Sequence, residues 1–356
     1  MNAAFDPGAV TVETVALHDP AQVAAVDAWI IADPCSTPFH RPAWIRAVAR
    51  GTGQRATMLV ARDVSGGVVG VLPLTAMRSL LFGKALVSSG FAVDGGILAQ
   101  TGRATQALAD AAWALAGRMG CATAELRGGM VPQDWTEKAD AYLGFARDLA
   151  VNEEAELQRM PRRHRAELRK GLEAGLTFET GRDARLRAIH YRLFAQSVHR
   201  LGTPVFPRAL FEAVMDGFGY DADIAVARKD GVPISSVLSL YHGGAVMPYW
   251  HGASGDARAL RSNEFLYFRL MSHARARGCS RFDFGRSKVG TGHAAWKKTW
   301  GFEGVPLSYA VRTADGMAPR DVNPLSPRYR RKVDLWKRLP LSVANLAGPW
   351  LARGLG

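Results

Sequence analysis

Apolar and polar positions along the chain fall into short runs that alternate between helical and extended character. Thr57–Arg62 and Val68–Leu74 are rich in Val and Leu and flank Ser65-Gly66-Gly67, the pattern of a β-hairpin. Asp223–Arg228 and Pro233–Tyr241 flank Asp230-Gly231 and predict a second hairpin. A proline-bounded apolar segment, Ala43–Val48 or Ala209–Val214, precedes each hairpin and reads as a helix. Thr105–Met119 is an Ala/Leu-rich helix, and Ala122–Arg127 a strand followed by a loop rich in Gly and Pro. In the second half Asn263–Arg277 reads as a long helix closed by Gly278, Ser280–Gly285 as a strand and Gly292–Trp300 as a helix. Helix, antiparallel strands, helix, strand, helix occurs twice, which is an α+β layer arrangement.

The two halves also match residue by residue. Shifted by 166 positions, Thr37–Leu74 lies on Thr203–Leu240 without a gap, with 14 identities in 38 positions. Chance in this composition would give roughly three or four. Thr37-Pro38 meets Thr203-Pro204, and Val60-Ala61-Arg62 meets Val226-Ala227-Arg228. A period this long is a duplicated domain, not a solenoid. His40-Arg41 faces Phe206-Pro207 and marks divergence of the copies.

Composition narrows the class. The chain has 356 residues, is 48% hydrophobic and 22% charged, and so reads as globular with two domains expected. Cys35, Cys121 and Cys279 are too few and scattered for a disulfide framework or a cysteine zinc site, and suit a reducing compartment. No cluster of His, Asp and Glu has metal-ligand spacing, so no metal is expected. The N-terminus carries no basic n-region ahead of an apolar stretch, and the run Val68–Met77 is too short for a span and holds Pro73. A cytoplasmic protein is the expectation.

The net charge of +13 favours polyanionic partners: nucleic acid, phosphorylated cofactors or an anionic membrane surface. It is concentrated in two clusters. Arg159, Arg162, Arg163, Arg165, Arg169 and Lys170 form one; Arg328, Arg330, Arg331, Lys332, Lys337 and Arg338 form the other.

The segment Asp283 to Gly292 runs from a strand into a helix. Its glycines let backbone N–H groups turn outward and the helix start adds partial positive charge, which together hold phosphate oxygens. Arg286, Ser287, Lys288, Gly290, Thr291 and Gly292 are the donor-binding candidates. The spacing is neither that of a nucleotide P-loop nor GxGxxG. It is closer to the R/Q-x-x-G-x-G/A loop with which GNAT acetyltransferases hold coenzyme A, Arg286 standing one residue further from Gly290. A ligand-free strand–helix turn would read the same way. In Trp296-Lys297-Lys298-Thr299-Trp300-Gly301-Phe302, adjacent lysines cannot share one helix face, so at most one points at the site. A lysine there can stabilise the oxyanion of an acyl-transfer intermediate. Trp300 and Phe302 read as core.

Asp283 through Phe302, Leu201-Gly202-Thr203-Pro204-Val205-Phe206 and Asn263-Glu264-Phe265-Leu266 resemble the FemAB proteins, and more narrowly the FemAB-like proteins associated with exosortase/PEP-CTERM systems. The likeness extends to Gly70–Leu74, Leu81-Phe82-Gly83, Asn323–Tyr329 and the run from Leu339 to Pro349. The resemblance implies two tandem GNAT-like (acyl-CoA N-acyltransferase-like) domains, each a mixed, mainly antiparallel sheet flanked by helices. The expected boundaries are 1–152, 153–316 with the donor site, and a basic C-terminal tail over 317–356. FemAB proteins transfer amino acids from aminoacyl-tRNA to amines of peptidoglycan precursors, and an aromatic–lysine pair near the end of their second domain is implicated in catalysis. Trp296-Lys297 matches it, which makes Lys297 the first catalytic candidate.

Further candidates follow from residue type. His199 could act as a general base, and Asp283 could accept a proton or orient Arg286. Tyr249, Trp250 and His251 end a strand and could line the acceptor cleft. Asn263 is first a helix N-cap and second a substrate contact. The activity implied is acyl or aminoacyl transfer, with acyl-CoA as donor, to an amine or hydroxyl of a small-molecule or lipid-linked acceptor related to the envelope or exopolysaccharide. The alternatives are an aminoacyl-tRNA-dependent peptidyltransferase and a non-catalytic adaptor binding nucleic acid or membrane. In the tail, Trp336, Leu339, Leu341, Val343, Leu346, Trp350 and Leu351 interleave with basic residues. That suits either peripheral contact with an anionic inner membrane surface or, given Pro340 and Pro349, docking onto the protein's own body.

Overall fold

A computed structural model describes residues 8–79, 83–317 and 330–356. The chain opens with β1 (Thr11–Thr14), α1 (Pro20–Ala32) and α2 (Pro42–Thr52). The hairpin β2 (Arg55–Arg62) and β3 (Val68–Ser79) follows, then β4 (Gly83–Ser88), β5 (Leu98–Ala99), α3 (Gly102–Arg118), β6 (Thr123–Arg127) and β7 (Thr136–Lys138). Next come β8 (Tyr142–Asp148), α4 (Glu153–Gln158), α5 (Arg162–Glu173), β9 (Leu176–Gly181), α6 (Ala184–Leu201) and α7 (Arg208–Phe218). The second hairpin is β10 (Ala222–Lys229) and β11 (Val232–His242), followed by β12 (Ala245–Ala253), α8 (Ser262–Ala276), β13 (Arg281–Lys288), α9 (Gly292–Thr299) and β14 (Val305–Pro306). β15 (Tyr309–Thr313), α10 (Arg330–Arg338) and α11 (Leu341–Ala352) complete the chain.

The duplication is visible in the elements. α2 and α7 have bounds offset by 166, and each hairpin carries a β-bulge at the matching place, Ala61/Arg62 in one and Ala227/Arg228 in the other. One sheet has the order β1-β2-β3-β4-β6-β15-β7 with β5 on β3; the other is β14-β8-β13-β12-β11-β10-β9. Most neighbours are antiparallel, and in each sheet a parallel pair, β4 with β6 or β12 with β13, follows the hairpin.

Two compact units result, with bounds unlike those expected. One takes the chain through Ala139, then β15 and Arg353–Gly356; the other spans Asp140–Leu307 and ends with α10 and α11. The boundary expected at 152/153 falls after β8, a strand the second sheet holds against β13 in the register Arg281↔Asp148. β15, expected in the second domain, pairs with β6 and β7 of the first sheet. Neither strand lies within the matched repeat, and a short strand does not carry the identity of its partner in its own letters.

The tail is not separate from the units. α10 meets the end of α6, where a Cβ added to Gly202 would lie 2.5 Å from the Val333 side chain. α11 meets the chain just after it, where a Cβ on Gly348 would lie 3.0 Å from Val205. α11 runs through Pro349 without a break. Leu81, Phe82 and Asn323–Tyr329, which carry part of the resemblance, lie outside the described residues, as does Arg328 of the basic cluster. Among the described residues no helix is long and apolar enough to cross a membrane.

In the second unit the sheet is covered on both sides. Successive residues of a strand point to opposite faces. Trp250 packs against Phe206 and Phe211, at 6.2 and 4.4 Å between ring centroids, on the face covered by α6 and α7. Its neighbour His251 stacks on Tyr267 of α8. The α8 side holds a core that includes Phe145, Leu168, Phe265, Phe268, Phe282, Phe284, Trp300 and Phe302.

Candidate functional site

Parallel strands β12 and β13 pair over only two positions, Ala245↔Arg281 and Val246↔Phe282. Beyond them the strands part. β12 turns with a bulge opposite Leu238/Ser239 that leaves Tyr249 as the extra residue, and β13 turns with one of its own between Asp283 and Arg286. Bulges bend strands and re-aim side chains, so two of them at a parting pair open a wedge between strands that no longer pair with each other.

Gly285, at φ +64°, makes the β13 bulge possible. Its N–H donates to Asp283 Oδ1 at 2.7 Å. The carbonyls of Phe284, Gly285 and Arg286 converge on Lys297 Nζ, which donates to them at 2.7, 3.2 and 3.0 Å. The ammonium also lies 5.3 Å from the Phe145 ring centroid. Burial draws the Lys297 pKa from 10.5 to about 8, with Asp283 opposing the shift. Its three N–H bonds are thus spent on the backbone. These contacts hold the bulge from two sides, Lys297 through its ammonium and Asp283 through the Gly285 N–H. Lys298 beside it is exposed.

β13 leads through Val289, Gly290 and Thr291 into α9. Gly290 has φ +75°, and an added Cβ at Gly290 or Gly292 would meet nothing within 4 Å, so the corner is open. Among the described residues no carbonyl accepts the amides of Gly290, Gly292 or His293, which is the arrangement that receives an anion. Thr291 and Ser287 do not join them. The Thr291 hydroxyl donates to the Lys288 carbonyl and accepts from Ala294 N–H as N-cap, and Ser287 is buried in the ladder opposite Leu143. The Arg286 guanidinium lies over the Tyr142 ring, 4.4 Å from its centroid, and Lys288 is half-buried.

On the α8 side of the wedge His251 Nε2 donates to Asn263 Oδ1 at 3.0 Å, and the imidazole stacks on Tyr267. Burial lowers the His251 pKa to about 4, with His293 adding to the effect. The ring is neutral at pH 7, and the Asn263 contact puts its proton on Nε2, leaving Nδ1 as a lone-pair donor. Asn263 therefore positions His251; the N-cap of α8 is Arg261, in the left-handed region at φ +50°. Tyr267, Phe284 and Trp296 form an aromatic wall with centroids 5.2–5.6 Å apart, and Trp296 Nε1 donates to Glu264 at 3.3 Å.

Two candidates lie elsewhere. Trp250 is 6% exposed and belongs to the core under α6 and α7. His199 is in the last turn of α6, the helix that packs over the Trp250 side of the sheet, whereas His251 stacks on Tyr267 of α8. Tyr249, half-buried beside Trp250, stays at the β12 bulge. Sequence reasoning missed Tyr267 and His293. Tyr267 stands four residues after Asn263, on the same face of α8, a spacing that could have marked it. His293 is the second residue of α9; burial and Lys297 lower its pKa.

A family pattern described as an acetyltransferase (GNAT) domain matches residues 158–298, which contain β12, β13 and most of α9. No curated protein matches the chain. Among solved structures, FemX superposes with a TM-score of 0.64 at 16% identity, covering 84% of this chain and 96% of its own. A tandem GNAT protein from the clavulanic acid biosynthesis pathway gives 0.55 at 14%, covering 88% and 100%. L-PGS from Bacillus licheniformis gives 0.54 at 12%, covering 90% and 98%. The chain has the tandem GNAT fold, and its second unit holds a GNAT-type acetyltransferase domain.

Proposed function

We propose that the second unit is an acyltransferase that takes an acyl thioester with a phosphate-bearing tail, acyl-CoA, and passes the acyl group to an amine or hydroxyl. The open corner at Gly290 and Gly292 carries this reading, because its amides are unclaimed and it adjoins a wedge between parted strands. The tail phosphates sit on those amides, assisted by Arg286 and Lys288. The thioester lies along β12 past Val246, where that strand has parted from β13, with backbone N–H groups facing the developing oxyanion. His251 Nδ1 receives the acceptor's proton, the Asn263 contact holding the tautomer, and returns it to the thiolate released as the C–S bond breaks; for an amine that arrives neutral, positioning supplies much of the rate. The envelope- or exopolysaccharide-related acceptor rests on the resemblance to FemAB proteins.

One observation favours aminoacyl-tRNA as the alternative donor. His164 Nδ1 lies 3.1 Å from Thr299 Oγ1, which sets α5 beside α9, and α5 together with the turn before it exposes Arg159, Arg162, Arg163, Arg169 and Lys170. Calorimetric titration with acetyl-CoA and with charged tRNA separates the donors, since binding through many phosphates weakens steeply with salt. Gly292→Glu places a carboxylate in the corner. It should cut acetyl-CoA affinity at least about tenfold while leaving the melting temperature unchanged or slightly raised, because an acid suits a helix N-terminus. Unaltered affinity in that variant would sink the phosphate assignment. Failure of both donors to bind would leave the non-catalytic adaptor.

A further inference from the structure

α11 is built the wrong way round for a helix that serves only the fold. Ala344, Gly348 and Ala352 are its buried residues, whereas Val343, Leu346 and Trp350 are 46%, 85% and 53% exposed. At about 100° per residue the small residues cluster on one side and the large apolar ones on the other. Burial of apolar area favours large side chains inside, so a helix that presents its large ones outward while docking through Ala and Gly has a second contact to make. Leu335 on α10 and Leu201 at the end of α6 are also exposed, 64% and 61%.

Charge names the occupant. On α10 the exposed Lys337 and Arg338 stand against one acid, Asp334, and the sequence before them adds Arg330, Arg331 and Lys332. A second copy of the chain would set these like charges against each other. The stripe consists of a few side chains, whereas a standard protein interface takes roughly 20–30 residues per partner. A phospholipid surface requires no matching shape, takes Leu and Trp into its acyl boundary and rewards flanking lysines and arginines when its headgroups are anionic. We infer that the outer face of α10 and α11 seats this protein on an anionic phospholipid surface, lying on it without spanning it. This stands independently of the acyl-transfer reading, since it uses no residue of the wedge.

The test is co-sedimentation of the full chain with phosphatidylcholine vesicles, with and without about 30% phosphatidylglycerol, at low and high salt. Wild type should partition at least about tenfold more to the anionic vesicles, and several-fold less in high salt. Val343→Glu with Leu346→Glu should abolish the binding without changing the melting temperature, and Arg338→Glu should weaken it. Binding retained by the Val343→Glu/Leu346→Glu variant would overturn the inference, assigning any attraction to net charge alone. So would equal binding to both vesicle types, no binding to either, or a concentration-dependent dimer that the same double variant dissolves.

Discussion

Replacing Lys297 with methionine separates two tasks that a lysine at this place can perform. In the structure the ammonium is buried and donates to three carbonyls of the β13 bulge. A hydrogen bond from a charged group is worth about 1.5–3 kcal/mol net, so three contribute roughly 4–9 kcal/mol. Against them stands the desolvation that draws the pKa from 10.5 to about 8, a cost of about 3 kcal/mol. Methionine keeps the apolar stem and removes both effects, so the expected loss is about 1–6 kcal/mol. That is roughly 3–20 °C in the melting of the second unit, read by calorimetry on the full chain at pH 7. A pH series adds a sign. The folded state releases this proton at about 8 and the unfolded state near 10.5. Between those values the unfolded chain binds more protons, so wild-type stability gains as pH rises through that window, and the variant lacks the gain. A variant that melts within about 2 °C of wild type yet transfers acyl groups more than about 100-fold more slowly would refute the bulge clamp and return Lys297 to the oxyanion.

Two further outcomes follow from the geometry. His251→Gln should lower kcat/KM about 10²–10⁴-fold, whereas His199→Ala should leave it within about threefold, since only His251 lies in the wedge. With the His251 pKa lowered to about 4, the acid limb of the rate profile belongs near that value, and a limb close to 6.5 would point to another base. Gly252→Ala puts a Cβ 2.3 Å from the backbone nitrogen of Phe194. A backbone neighbour cannot swing aside as a side chain can, so urea denaturation should show a loss at or above the ~1–3 kcal/mol usual for overpacking; an unchanged midpoint would mean that α6 slides freely on β12.

How far the sequence could be read depended on where the information sits. The duplication was legible because it is written in side chains: the same apolar and proline positions that make α2 fold against β2 and β3 make α7 fold against β10 and β11, bulge included. The membership of β8 and β15 was not legible, since five to seven extended residues state that they are a strand and not which edge they join. At the site the divide runs between side chain and backbone. Two adjacent lysines implied that at most one could point inward, and Lys297 does, with Lys298 exposed. Its direction of use was hidden, because the positive φ of Gly285 turns three consecutive carbonyls toward the ammonium, and no letter records a carbonyl's orientation. The same holds for the corner beyond it. Arg286, Ser287, Lys288 and Thr291 drew attention as side chains able to meet phosphate, yet Ser287 and Thr291 are consumed by the ladder and the cap. The groups left pointing outward are the amides of Gly290, Gly292 and His293, set by one left-handed glycine. An anion site made of amides is specified by the turn that aims them, so its most informative residues in sequence are the ones with no side chain to show.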